Sequence, residues 1–189
     1  FPESVIESTH DMVVPPLGKR TDLRDIPLVT IDGKDARDFD DAVFAEPDTD
    51  TNNVGGYHLV VAIADVAYYV RSGSPLDKEA YLRGNSTYFP DRVLPMLPEK
   101  LSNDLCSLRP HEPRATLAVH MWINENGKLL RYKFVRGLML SRARLTYEQV
   151  QALFDGNADH GIPSHVVEAI LALRPLARAA RARRTANGS

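Results

Sequence analysis

Asp32, Asp35, Asp38, Asp40 and Asp41 place five carboxylates within ten residues, in the stretch Thr30-Ile-Asp-Gly-Lys-Asp-Ala-Arg-Asp-Phe-Asp-Asp41. Like charges this close repel unless a cation neutralises them, water screens them or some take up protons. Val29 and Ile31 precede the stretch, and Ala42, Val43 and Phe44 follow it. These residues tie both ends into a core and so fix the carboxylates in space. Clustered hard oxygen donors suit Mg²⁺ or Mn²⁺. In extended backbone Asp38 and Asp40 share one side and Asp41 takes the other, while Gly33 lets Asp32 approach from the preceding strand end. Carboxylates around one or two divalent ions are used to cleave phosphodiesters, one ion activating water and another stabilising the leaving oxygen.

Three other readings are weighed on the residues alone. An EF-hand needs acids at loop positions 1, 3 and 5, Gly at 6 and Glu at 12, and the spacing from Asp32 fails this. A structural Ca²⁺ loop and a solvated acidic turn both stay open on composition.

The elements that must position the loop can be read from residue patterns. Pro27 to Ile31, Asp41 to Phe44 and Tyr57 to Ala64 read as strands, the last covered on both faces because it is apolar almost throughout. Asp48 to Gly56 is rich in turn formers. Ser74-Pro75 opens a helix, with Ser74 as its cap, running to about Asn85. Pro90 to Pro98 is loop-like, and Glu99 to Leu105 is a short helix. Arg114 to Asn124 and Lys128 to Leu140 form a hairpin across Asn126-Gly127. Thr146-Tyr-Glu-Gln149 is a capping box opening a helix of about two turns. Pro163 to about Arg184 carries Val166, Ile170, Leu173 and Leu176 at helical spacing. The expected fold is α/β (α+β): a mixed, largely antiparallel sheet with helices packed around it. Residues 1–26 read as an irregular N-terminal segment.

With 189 residues, 43% of them hydrophobic, the chain can bury a substantial core as one domain. The longest apolar run, His58 to Val70, is broken by Asp65, so no membrane span is expected. Cys106 is the sole cysteine, which excludes a disulfide and a Cys-based zinc site; between Leu105 and Ser107 it reads as a small buried hydrophobe. With no secretory leader evident, a reducing, cytoplasmic setting is expected. The net charge of −2 speaks against a domain that holds nucleic acid by electrostatics alone. Arg174, Arg178, Arg181, Arg183 and Arg184 read first as a solvated helix face complementing the C-terminal dipole, with a phosphate-contacting role as the alternative.

The string Asp32-Gly-Lys-Asp-Ala-Arg-Asp-Phe-Asp-Asp41 resembles the active-site motif of the RNB family of exoribonucleases, ribonuclease II and ribonuclease R. Val61-Ala-Ile-Ala-Asp-Val66, Asn85-Ser-Thr-Tyr-Phe-Pro90, Leu94 to Leu108 and Ser141-Arg-Ala-Arg-Leu-Thr-Tyr147 match further family stretches in the expected order. The wording of the acidic motif is closer to bacterial ribonuclease R-type members than to the eukaryotic exosome homologues.

The resemblance implies Mg²⁺-dependent hydrolysis of single-stranded RNA from its 3′ end to nucleoside 5′-monophosphates, with Mn²⁺ as an alternative ion. It assigns Asp32, Asp38, Asp40 and Asp41 to the metal site, Asp32 and Asp41 as direct ligands. Asp40 is the carboxylate most needed for the chemical step, and Asp38 supports metal and substrate placement. Asp35 falls outside the four. Taken alone, Tyr88 reads as a core tyrosine at a helix end and Tyr147 as a residue in the first turn of a capped helix. The resemblance instead gives both an RNA contact, Tyr88 stacking on a base near the 3′ end. It also implies a monomeric catalytic unit flanked by cold-shock and S1 domains, which carry the basic RNA-binding surface and so account for the near-neutral charge here. The complete RNB domain is longer. Its later part supplies an arginine on the scissile phosphate and a second stacking aromatic, and nothing after Tyr147 matches them. Residues 27–189 are therefore expected to be the N-terminal portion of that domain, degrading RNA poorly alone. The competing expectations are a non-catalytic RNA- or protein-binding remnant of the same fold and a structural Ca²⁺ module.

Overall fold

A computed structural model describes residues 1–188. The elements are α1 (Glu3–Glu7), β1 (Thr21–Leu23), β2 (Val29–Asp32), β3 (Asp41–Pro47), β4 (Tyr57–Ala64), α2 (Val66–Tyr69), α3 (Pro75–Arg83), β5 (Thr87–Tyr88) and β6 (Val93–Leu94). A π-helical turn (Lys100–Leu105) leads to β7 (Pro113–Ile123), β8 (Leu129–Leu140), β9 (Ala143–Thr146), α4 (Tyr147–Phe154) and α5 (Ser164–Ala186). Seven strands form one sheet in the order β1-β8-β7-β4-β3-β2-β9, and β5 and β6 form a separate hairpin. The β8-β7-β4-β3-β2 ladders are antiparallel; the outermost strands β1 and β9 pair in parallel with β8 and β2. This is the mixed, largely antiparallel architecture expected.

Local chemistry sets the helix starts. The Ser74 hydroxyl accepts the Asp77 N–H at 3.1 Å, and Pro75 opens α3, satisfying one of the donors that a helix start leaves unpaired. At α4 both halves of the capping box form: Gln149 N–H donates to the Thr146 hydroxyl, and Thr146 N–H donates to the Gln149 side chain. The β7–β8 hairpin turns at Gly127, whose φ of 75° and close approach to the α5 backbone at Ala179 leave no room for a Cβ.

Residues 1–26 are more ordered than their sequence suggests, with α1 and β1 among them. Three residues carry no readable periodicity, and β1 exists because β8 offers its edge. Gly137 sits opposite Thr21, where a Cβ would run into the Leu23 side chain. Strand β9 and the β5–β6 hairpin escaped the sequence for the same reason: they are short, and their pairing partners lie far away or across a loop.

The sheet has a core on each face. Ala42, Val60, Ala62, Ala118 and Met139 pack with Leu28, Leu76, Leu101 and Leu108 on one side. Val29, Ala143 and Leu145 pack with Val166 and Ile170 of α5 on the other, which Ala45, Ile123 and Leu176 extend. The two-sided burial expected of β4 is only partial. Val60, Ala62 and Ala64 are buried, but α5 ends its cover short of Ile63, which is 53% exposed. No helix among the described residues is long and apolar enough to cross a membrane.

Cys106 is buried, as its neighbours suggested. Desolvation, then the nearby carboxylates of Asp40 and Asp65, push its thiol from an ordinary 9.0 up to about 12. The folded protein should therefore resist alkylation at pH 8, and one thiol should become reactive on unfolding in urea, read with a chromogenic disulfide reagent. The linkage has a definite sign. Above pH 9 the unfolded thiol ionises while the folded one does not, so stability falls as pH rises from 9 towards 12. Rapid stoichiometric labelling of the native chain would rule out this environment.

Candidate active site

Asp32 ends β2 and Asp41 begins β3. With Val29 opposite Val43 in the antiparallel pair, the two carboxylates lie at the same end of the sheet. Residues 33–40 connect them and are held by backbone and side-chain bonds from three directions. Ala64, at the end of β4, donates its N–H to the Asp40 carbonyl at 3.0 Å. From below, Phe39 N–H donates to the Ser107 hydroxyl at 3.0 Å, and Leu108 N–H donates to the Phe39 carbonyl at 2.7 Å. From β9, the Arg144 guanidinium donates to the Gly33 carbonyl at 3.0 Å and to the Lys34 carbonyl, and lies over the Phe39 ring.

The carboxylates act on one another. Asp32 is raised above the usual carboxylate range by desolvation first, then by the charges of Asp41, Asp38 and Asp40, with Arg144 pulling the other way. Asp40, though solvent reaches it, is raised by desolvation and then by Asp38 and Asp41. The four aspartates predicted from the sequence thus form one electrostatic unit. Asp35 instead lines grooves with Arg37 to one side. Among the described residues no three His, Cys, Asp or Glu are gathered tightly enough to hold a metal ion. Like charges this close have no reason to converge further unless a cation stands between them.

Tyr88 touches this unit, and Tyr147 follows a residue paired with its edge. Tyr88 is 66% exposed rather than a core residue, because its short hairpin stands apart from the main sheet; its hydroxyl donates to Asp38 Oδ2 at 3.0 Å. A groove of about 370 Å³ beside it is lined by Asp38, Arg37, Phe89, Arg92 and Asn103, among others. Tyr147, also exposed, follows Thr146, which the parallel β2–β9 register places opposite Asp32. Of the α5 arginines, Arg174 is turned inward to cap α4: it donates to the Phe154 carbonyl and lies over the Phe154 ring. Sequence reasoning missed Arg144, Ser107 and Arg114. All lie in or next to stretches already singled out, but they hold the loop and its floor through main-chain atoms, which leave no residue-type signature.

The RNB domain family matches residues 20–189. Ribonuclease R of Vibrio parahaemolyticus is 59% identical over 140 residues, covering 74% of this chain and 16% of the relative. Ribonuclease R of Escherichia coli is 55% identical over 140 residues, 74% of this chain and 17% of its own length. The solved structure of Mycoplasma genitalium RNase R in complex with double-stranded RNA matches with a TM-score of 0.92 at 30% identity, covering 100% of this chain and 34% of that one. Yeast Ssd1, a pseudonuclease, matches with a TM-score of 0.73 at 19% identity, which shows a shared fold alone. A sheet-end acidic loop on this architecture is an RNB domain, and the chain belongs to the RNB family. It spans less than a fifth of the length of the two ribonuclease R relatives.

Proposed function

We propose that this chain supplies the acidic, metal-binding part of a 3′→5′ exoribonuclease that hydrolyses single-stranded RNA to nucleoside 5′-monophosphates. The observation that carries the reading is the electrostatic unit of Asp32, Asp38, Asp40 and Asp41 at one sheet end, with the exposed Tyr88 bonded to it. The donor set is all carboxylate oxygen under mutual repulsion, which fits a hard divalent ion rather than a soft or borderline one. Asp32 and Asp41 would hold Mg²⁺, or Mn²⁺, directly, with Asp38 and Asp40 completing its surroundings. When bound, such an ion supplies an activated water and neutralises phosphate charge. The tyrosine rings offer flat faces to bases, a contact worth about 1–3 kcal/mol per base and indifferent to sequence.

In this reading residues 27–189 are the N-terminal portion of the catalytic domain of a monomeric cytoplasmic enzyme. Cold-shock and S1 domains supply the cationic RNA surface that a net charge of −2 does not. The ribonuclease R relatives are several times longer than the part aligned, and 189 residues alone are expected to degrade RNA poorly.

The test is degradation of a 5′-labelled single strand by the full-length protein carrying this sequence. The label should pass through a ladder shortening from the 3′ end, with 5′-monophosphates released. EDTA should stop the ladder and Mg²⁺ restore it. The alternative, a non-catalytic RNA- or protein-binding remnant of the same fold, would show no metal-dependent shortening.

A further inference from the structure

We propose that the Tyr88 hydroxyl, separately from its ring, is a positioning group that fixes the Asp38 carboxylate; the inference rests on the function proposed above. The β5–β6 hairpin is joined to the main sheet by no strand pairing. It is held in shape by the Phe89 N–H bond to the Arg92 carbonyl at 2.8 Å. Its base is tied down by Arg83 of α3 on the Pro95 carbonyl and by Met96 N–H on the Ser86 hydroxyl. That anchored hairpin projects the Tyr88 phenol back across fifty residues of sequence onto Asp38 Oδ2 at 3.0 Å.

A carboxylate only accepts, so the phenol donates. One Asp38 oxygen is thereby committed, and rotation of the carboxylate about its Cβ–Cγ bond is restrained. The ring itself stays 66% exposed and free to stack. One side chain therefore sets both a base-stacking plane and the orientation of an acidic group, and the two roles sit on different atoms. Partners that orient metal-binding side chains in this way commonly change metal affinity or activity 10- to 100-fold when removed. Tyr88→Phe deletes the hydroxyl and keeps the ring, whereas Tyr88→Ala deletes both; neither should unfold a residue so exposed.

The experiment compares wild type, Tyr88→Phe and Tyr88→Ala in the full-length protein carrying this sequence. Mn²⁺ affinity is read by calorimetry without RNA, RNA affinity by fluorescence anisotropy with EDTA, and kcat on a labelled strand. The expected result for Tyr88→Phe is a fall of about 10- to 100-fold in Mn²⁺ affinity and in kcat, with RNA affinity within twofold of wild type. Tyr88→Ala should lose RNA affinity as well. Wild-type Mn²⁺ affinity and kcat in Tyr88→Phe would overturn the proposal, as would an RNA-affinity loss in Tyr88→Phe equal to that of Tyr88→Ala. A wild-type protein that neither binds Mn²⁺ nor degrades RNA overturns the functional reading as well, which distinguishes the two failures.

Discussion

Asp40→Asn in the full-length protein carrying this sequence lowers RNA turnover by about 10³-fold or more while leaving RNA binding close to wild type. The magnitude follows from removing one preorganised charge from a site built around phosphate chemistry. The separation of chemistry from folding follows from how Asp40 is held. Its main-chain carbonyl takes the Ala64 N–H, and that bond survives the substitution. Asn has nearly the same shape, so the loop keeps its path. The substitution removes the charge and turns one acceptor oxygen into an N–H donor, and loss of the charge relieves repulsion on Asp32, which Asp40 helps raise. The metal-free variant should therefore melt no lower than wild type. Single-turnover kinetics on a labelled strand, anisotropy for binding and a melting curve read the three parts. Turnover within tenfold of wild type would remove Asp40 from the chemical step.

The second large effect is on stability. Arg114 is 3% exposed, and its fork is fully occupied. Its Nε donates to the carbonyls of Ser107 at 2.9 Å and Asp104 at 3.0 Å, Nη1 donates to the Pro113 carbonyl at 3.0 Å, and Nη2 donates to Asp104 Oδ1 at 3.0 Å and Glu112 Oε2 at 2.7 Å. The buried Ser107 then carries Phe39 and, with Leu108, the underside of the acidic loop. Truncation to Ala removes all of these bonds and leaves a cavity, although the Ser107 and Asp104 carbonyls keep the N–H groups of Arg109 and Ser107. Because the acidic partners are nearly half exposed and their charges screened, the expected cost is on the order of 2–4 kcal/mol rather than the full penalty of a buried pair. Arg114→Lys should recover only part of it, since an ammonium cannot bridge five acceptors spread around a planar fork. Urea unfolding midpoints measure both; an unchanged midpoint in Arg114→Ala would show that the strap around Ser107 holds itself. Turnover in the full-length protein should drop for Arg114→Ala even under conditions where it is folded, because the loop loses its floor.

Much of the frame was legible in the residues. The bounds of β4, the hairpin joining β7 and β8, the Ser74 cap and the Thr146–Gln149 box depend on neighbours within a few positions, and short-range patterns report short-range forces. The acidic loop was legible too, because five charges between two apolar strands are a local anomaly whatever fold surrounds them. β1, β9 and the β5–β6 hairpin were not. Each strand is two to four residues long; β1 and β9 exist through partners far along the chain, while β5 and β6 pair with each other over only two residues each, too few to show a pattern. Tyr88 misled for the same reason: an aromatic after a helix is ordinarily buried, and only the separate hairpin explains why this one stands in solvent.

The sequence by itself determined which groups are available: four mutually repelling aspartates, their order along the chain and the apolar strands that carry them. Tertiary structure decided what those groups can do together. The β2–β3 register puts Asp32 and Asp41 at one sheet end, and the parallel β2–β9 pairing brings Thr146, and with it Tyr147, alongside Asp32. Arg144 and the Arg114-held strap grip the loop through its carbonyls and N–H groups. Every residue offers the same main-chain atoms, so those grips leave no trace in the order of side chains and appear only when the chain is folded.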